Sequence, residues 1–153
     1  MSNNLKGMTA GLVATLVLGV VMSLKSSYGL WPEVNFIQLL VNLGSITVVQ
    51  AWMDHFIIGI VVWGLVYSAV DALWEPPPHW LKGLVVGFGG WLLMMVAFMP
   101  LAKAGFFGMK LGPPGALVTL GYHLFYGLVL GLTYGLLGVL SERMSASKSS
   151  PQS

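Results

Sequence analysis

The sequence contains no cysteine. Disulfides, thiolate nucleophiles, iron–sulfur clusters and cysteine-ligated zinc are therefore excluded. Charge is nearly as scarce. Only 8% of the 153 residues are Asp, Glu, Lys or Arg, against about 25% in a typical soluble domain. So few charges cannot cover a water-facing surface, which excludes an ordinary soluble enzyme. The net charge of +2 is small and scattered, so no basic footprint marks a nucleic-acid partner. Phosphate loops are missing as well. Gly87-Phe88-Gly89-Gly90 follows no predicted strand, the context a dinucleotide fingerprint requires. The serines sit mainly at the ends and in loops, no Ser-His-Asp set can be selected, and no paired carboxylates share a span. The chain is not expected to be an enzyme.

What is present is apolar. The hydrophobic share is 56% and the mean hydropathy is +0.83. Four runs, at about 7–24, 55–74, 83–102 and 115–140, are long enough to cross about 30 Å of hydrocarbon as helices. The first is not a secretory signal, because Ser23-Leu24-Lys25 offers no small-residue cleavage site and the apolar run is too long. Pro76-Pro77-Pro78 makes a stiff turn between the second and third spans, and Pro113-Pro114 sets the start of the fourth.

The stretch at about 36–52 differs. Apolar residues at roughly helical spacing alternate with Asn35, Gln38, Asn42, Ser45 and Gln50. This pattern predicts an amphipathic helix lying in the interface or against the bundle. A fifth crossing is the weaker reading, since three amides are costly in lipid. The expected fold is all-α: an integral membrane four-helix bundle forming a single domain over 1–144. A disordered tail is expected over 145–153.

Trp31 and Trp52 are predicted at one membrane face and Trp74 and Trp80 at the other, as aromatic belts. Trp63 and Trp91 fall mid-span and require a packing role. Lys6, Lys82, Arg143 and Lys148 share the side of both termini, while Lys25, Lys103 and Lys110 lie opposite. The bias places both termini in the cytoplasm.

The chain reads as a duplicated two-helix hairpin. Leu5-Lys6-Gly7-Met8-Thr9-Ala10-Gly11 matches Leu81-Lys82-Gly83-Leu84-Val85-Val86-Gly87, and His55-Phe56-Ile57-Ile58-Gly59 matches His123-Leu124-Phe125-Tyr126-Gly127. The match makes His55 and His123 equivalent positions at one depth. Gly7 and Gly11, Gly83 and Gly87, and Gly127, Gly131 and Gly135 recur every fourth residue. In membranes such stripes let helix backbones approach, so these seven are expected to pack helices.

Polar residues inside lipid are functional candidates by default, and His55 and His123 stand out. Each is read first as an anchor at a helix start. As a pair on facing helices they suit a b-type haem, or copper with help from Met22, Met94, Met95 and Met99. No histidine–carboxylate set with metal-ligand spacing is present, and no cofactor is expected. Asp54, Asp71 and Glu75 are placed in the headgroup region, and His79 in a solvated turn.

The stretches Lys6-Gly7 to Gly11, His55 to Gly59 with Trp63-Gly64, Gly90 to Met95 with Met99-Pro100-Leu101, Gly105-Phe106-Phe107-Gly108 and His123 to Gly135 carry a resemblance. The chain resembles an uncharacterised family of small four-helix bacterial membrane proteins known as a domain of unknown function. The resemblance implies a multi-pass protein of the bacterial inner membrane and implies no reaction. The expected function is a non-enzymatic accessory, assembly or structural subunit of a larger membrane complex. Its partners would be the lipid bilayer and other subunits or copies of itself. A haem- or metal-binding protein using His55 and His123 and a small transporter or channel are the alternatives.

Overall fold

A computed structural model describes residues 1–75 and 78–149. Helix α1 (Asn3–Ser27) opens with the Ser2 hydroxyl accepting from the Leu5 N–H. It is followed by a short α2 (Phe36–Gly44), then α3 (Val48–Leu73), α4 (His79–Leu101) and α5 (Pro113–Ser149). Helices α1, α3, α4 and α5 are each long and apolar enough to cross a membrane. A 3-10 segment, Phe106–Leu111, links α4 to α5.

The stretch at 36–52 is not one helix. Gly44 is followed by Ser45 at φ 51, a left-handed residue that ends α2. Thr47 then caps a new helix: its hydroxyl accepts from the Gln50 N–H while the Gln50 side chain accepts from the Thr47 N–H. Val48 to Trp52 therefore begin the second span, which starts seven residues earlier than the apolar run alone predicts. With nine residues, α2 is about 14 Å long and cannot cross a bilayer. It folds back so that Ile37 and Leu40 pack on Ala51 of α3.

Helix α5 is also longer than predicted. Residues 145–149 of the expected disordered tail continue the helix. No proline interrupts it before Pro151, and the Ser145 hydroxyl bonds back to the Ser141 carbonyl. The rest of the tail and Pro76-Pro77 lie outside the described residues.

The four spans form an up-down-up-down bundle in which α1 and α4 are diagonal, as are α3 and α5. Both hairpins close in the same way, backbone on backbone. A Cβ at Gly7 would collide with the Gly64 carbonyl, and one at Gly83 with the Gly127 carbonyl. One at Gly11 would lie 2.8 Å from the Gly59 oxygen. One at Gly87 would strike the His123 carbonyl, one at Gly131 would lie 3.0 Å from Trp80 Cα, and one at Gly135 would lie 2.9 Å from the His79 ring.

This packing corrects the repeat register. Gly64, not Gly59, occupies the place of Gly127, so His123 corresponds to Ile60 and His55 sits more than a turn away. The shared His-x-x-x-Gly spacing is a match of sequence without a match of contacts. A π-helical turn at Ile58–Trp63 further offsets α3, and a second interrupts α4 at Met94–Phe98.

A methyl group at a crossing glycine must push two backbones apart. We expect Gly83→Ala to destabilise the bundle by about 1–3 kcal/mol. Gly121→Ala should be neutral or stabilising, since nothing lies within 4 Å of a Cβ there. Unfolding in mixed detergent micelles compares the two. Equal stabilities would contradict glycine-closed packing.

Candidate functional site: a histidine cavity between the spans

Because α3 begins at Val48, His55 is not at a helix start. It lies about 10 Å along its helix, and His123 about 15 Å along α5, counting 1.5 Å per residue. Both line one cavity of about 90 Å³. Its wall includes Thr15, Leu18 and Met22 of α1, Ile58, Gly59 and Trp63 of the α3 π turn, and Met94 at the head of the α4 π turn. Thr119, Tyr122 and Tyr126 of α5 and Phe36 of α2 complete it. Single π turns concentrate at functional sites because they widen a helix and re-aim its side chains. Here both of them border the same space.

The two imidazoles are held differently. His55 is only 9% exposed. The rings of Phe36, Trp52 and Phe56 stand edge-on around it, with centroids at 6.0, 5.6 and 6.0 Å. Its Nε2 is buried without a hydrogen-bond partner, a costly state for a polar atom that asks for an explanation. His123 places Nδ1 2.8 Å from the Thr119 carbonyl. The N–H therefore sits on Nδ1 and leaves the Nε2 lone pair free. Gly90 makes room for this ring, since a Cβ there would lie 3.0 Å from Trp63 and 3.4 Å from His123.

Most other polar groups of the cavity serve the backbone, while the Tyr122 hydroxyl is buried without a hydrogen-bond partner. The Thr15 hydroxyl donates to the Gly11 carbonyl at 2.7 Å, and Thr119 donates to Gly115 at 2.7 Å. The Tyr126 hydroxyl crosses the bundle to the Gly59 carbonyl at 2.6 Å, joining α5 to the π turn. The mid-span tryptophans also find their roles. Trp63 walls the cavity, and the Trp91 indole donates to the Ala116 carbonyl at 3.1 Å.

The end of the bundle that carries both termini holds a second polar group, which the sequence reading dispersed. Asp71, expected in the headgroup region, is paired. Its Oδ1 lies 2.8 Å from the Lys82 ammonium and 3.0 Å from His79 Nδ1. Lys82 is 2% exposed. His79, expected in a solvated turn, is the first residue of α4, and its carbonyl accepts from the Tyr67 hydroxyl at 2.8 Å. The Tyr67 and Tyr134 rings pack at a tilt of 55° with centroids 4.8 Å apart, and Lys6 sits 5.0 Å over the Tyr134 ring. The signal was legible in principle: a lysine in the first turn of one span follows an aspartate in the last turn of the preceding one.

A family model described as a family of unknown function, DUF6789, matches residues 1–145. The chain belongs to DUF6789. No curated protein matches the chain, and no solved structure does. The family match spans the whole bundle and both polar groups, so both are placed within one family domain.

Lys82 is buried and Asp71 is its counter-charge. We expect Asp71→Ala to cost about 3–5 kcal/mol by stranding the ammonium. Asp71→Ala combined with Lys82→Met should recover most of that loss. Unfolding in mixed micelles reads both, and a single variant as stable as the parent would refute the pairing.

Proposed function

We propose that the chain is a non-enzymatic subunit of a larger membrane complex, whose bundle holds one small ligand at paired imidazoles. The observation that carries this reading is the buried, unpartnered His55 Nε2 beside the same cavity as His123. An unpaired ring nitrogen inside a span is costly to keep unless something binds it. The volume limits the ligand. About 90 Å³ is well below the roughly 300–1,000 Å³ of ordinary small-molecule sites. A porphyrin does not fit that space, whereas an ion or a very small molecule does.

The rest of the core favours holding over passage. The packed Tyr67 and Tyr134 rings and the Lys82–Asp71 pair fill the interior on the side of the termini. A solute path would have to break both. The subunit reading draws on the small, almost wholly membrane-fitted chain and on broad apolar faces suited to helix contacts. The four lysines and arginines on the side of the termini, against three opposite, favour both termini in the cytoplasm, and the bacterial inner membrane is what the family resemblance implies.

Mild-detergent purification at native expression, with mass spectrometry and elemental analysis, tests the reading. Stoichiometric membrane partners and about one bound metal or small ligand per chain are expected. His55→Leu with His123→Leu should remove the ligand and leave helicity by circular dichroism unchanged. A solitary chain with no ligand, or a ligand content indifferent to both histidines, would contradict it.

A further inference from the structure

We propose that the histidine cavity is a copper(I) site, with His55 and His123 as imidazole ligands and Met22 and Met94 as thioether ligands. The inference rests on reading this cavity as the ligand site and goes on to name the ligand's chemistry. The four side chains border one space of about 90 Å³. Each comes from a different span: Met22 from α1, His55 from α3, Met94 from α4 and His123 from α5. The imidazoles thus sit on one diagonal pair of helices and the thioethers on the other. Four donor-bearing side chains on four spans around one cavity suit a single ion of low coordination number.

The donor types select the metal. Thioethers are soft and favour copper(I), while carboxylates and waters favour magnesium, calcium or manganese. No Asp or Glu borders the cavity, and among the described residues no group of three or more His, Cys, Asp or Glu side chains could hold a metal. Charge points the same way. The cost of taking an ion out of water rises with the square of its charge, and the neutral wall offers nothing to offset it. A monovalent soft ion costs about one quarter as much to bury as zinc(II) under that rule.

The supporting groups fit as well. The Thr119 carbonyl fixes the His123 proton on Nδ1 and leaves Nε2 to coordinate. Met94 heads a π turn and lines the cavity, whereas Met95 and Met99 do not, although all three share one buried cluster with Ala104. A cleft of about 470 Å³ bordered by Ser23, Asn35 and Gln38 shares Met22, Phe36 and Tyr122 with the cavity. Met22 therefore stands at the wall that the two spaces share.

The metal-free, full-length chain in detergent is titrated anaerobically with copper(I) against bicinchoninate, and separately with zinc(II). One copper(I) per chain is expected. X-ray absorption should show both nitrogen and sulfur neighbours. Met94→Leu should lose about half of the sulfur scattering and bind about tenfold or more weakly, and Met22→Leu should behave alike. These conservative variants keep the apolar volume, and circular dichroism confirms their fold. Tight copper(I) binding that ignores both methionines overturns the inference, as does histidine-dependent binding of zinc(II) in preference to copper(I). In either case the ligand-site reading survives if His55→Leu with His123→Leu abolishes binding. No binding of either ion overturns the copper proposal, and the native ligand content of the histidine variants then decides the broader reading.

Discussion

Lipid tails are as apolar as leucine, so helices in a bilayer gain little from burying hydrophobic surface against one another. Association depends on close packing and hydrogen bonds, and this chain concentrates the packing at glycines. Gly7 against Gly64 and Gly83 against Gly127 bring backbones together with no side chain between them. That approach determines what else can meet. It carries the His123 backbone onto Gly87, and it brings the α3 π turn close enough for Tyr126 to reach the Gly59 carbonyl.

The cavity is what such tight contacts leave over. Its large wall side chains, Trp63, Phe36, Met22 and Met94, are too bulky to close down as the glycines do. The π turns at Ile58–Trp63 and Met94–Phe98 loosen α3 and α4 at the same level. Polar groups there are mostly spent on backbone carbonyls, as Thr15, Thr119 and Tyr126 show. The His55 Nε2 and the Tyr122 hydroxyl are the exceptions. At the other end the logic reverses, and Asp71, Lys82 and His79 are joined in one compact group.

Much of the architecture was legible from hydropathy alone, because backbone polar groups in lipid force whole helices. The four spans, and the glycines that join them, follow from run length and fourth-residue spacing. The ends were harder. The Thr47–Gln50 capping box marks the true start of the second span, yet the amides around it made the stretch look interfacial. Local capping chemistry overrode the amphipathic pattern. The repeat register failed for another reason. Apolar sequences match easily, and only contacts reveal that Gly64 rather than Gly59 takes the place of Gly127. The Gly105-Phe106-Phe107-Gly108 motif is explained by conformation. Gly105, Phe107 and Gly108 all adopt positive φ in the turn that follows α4, and Gly108 packs on the Met99 sulfur. The site itself was half legible. Two histidines on facing spans are visible in the sequence, but their shared cavity and the choice of Met22 and Met94 over Met95 and Met99 depend on rotation about each helix.

Anomalous diffraction at the copper edge, from crystals of the full chain grown with copper(I), reads that convergence directly. A single strong peak between His55, His123, Met22 and Met94 is the predicted result. A peak confined to the bundle surface or to the Asp71–His79 end, with the central cavity empty, would contradict it.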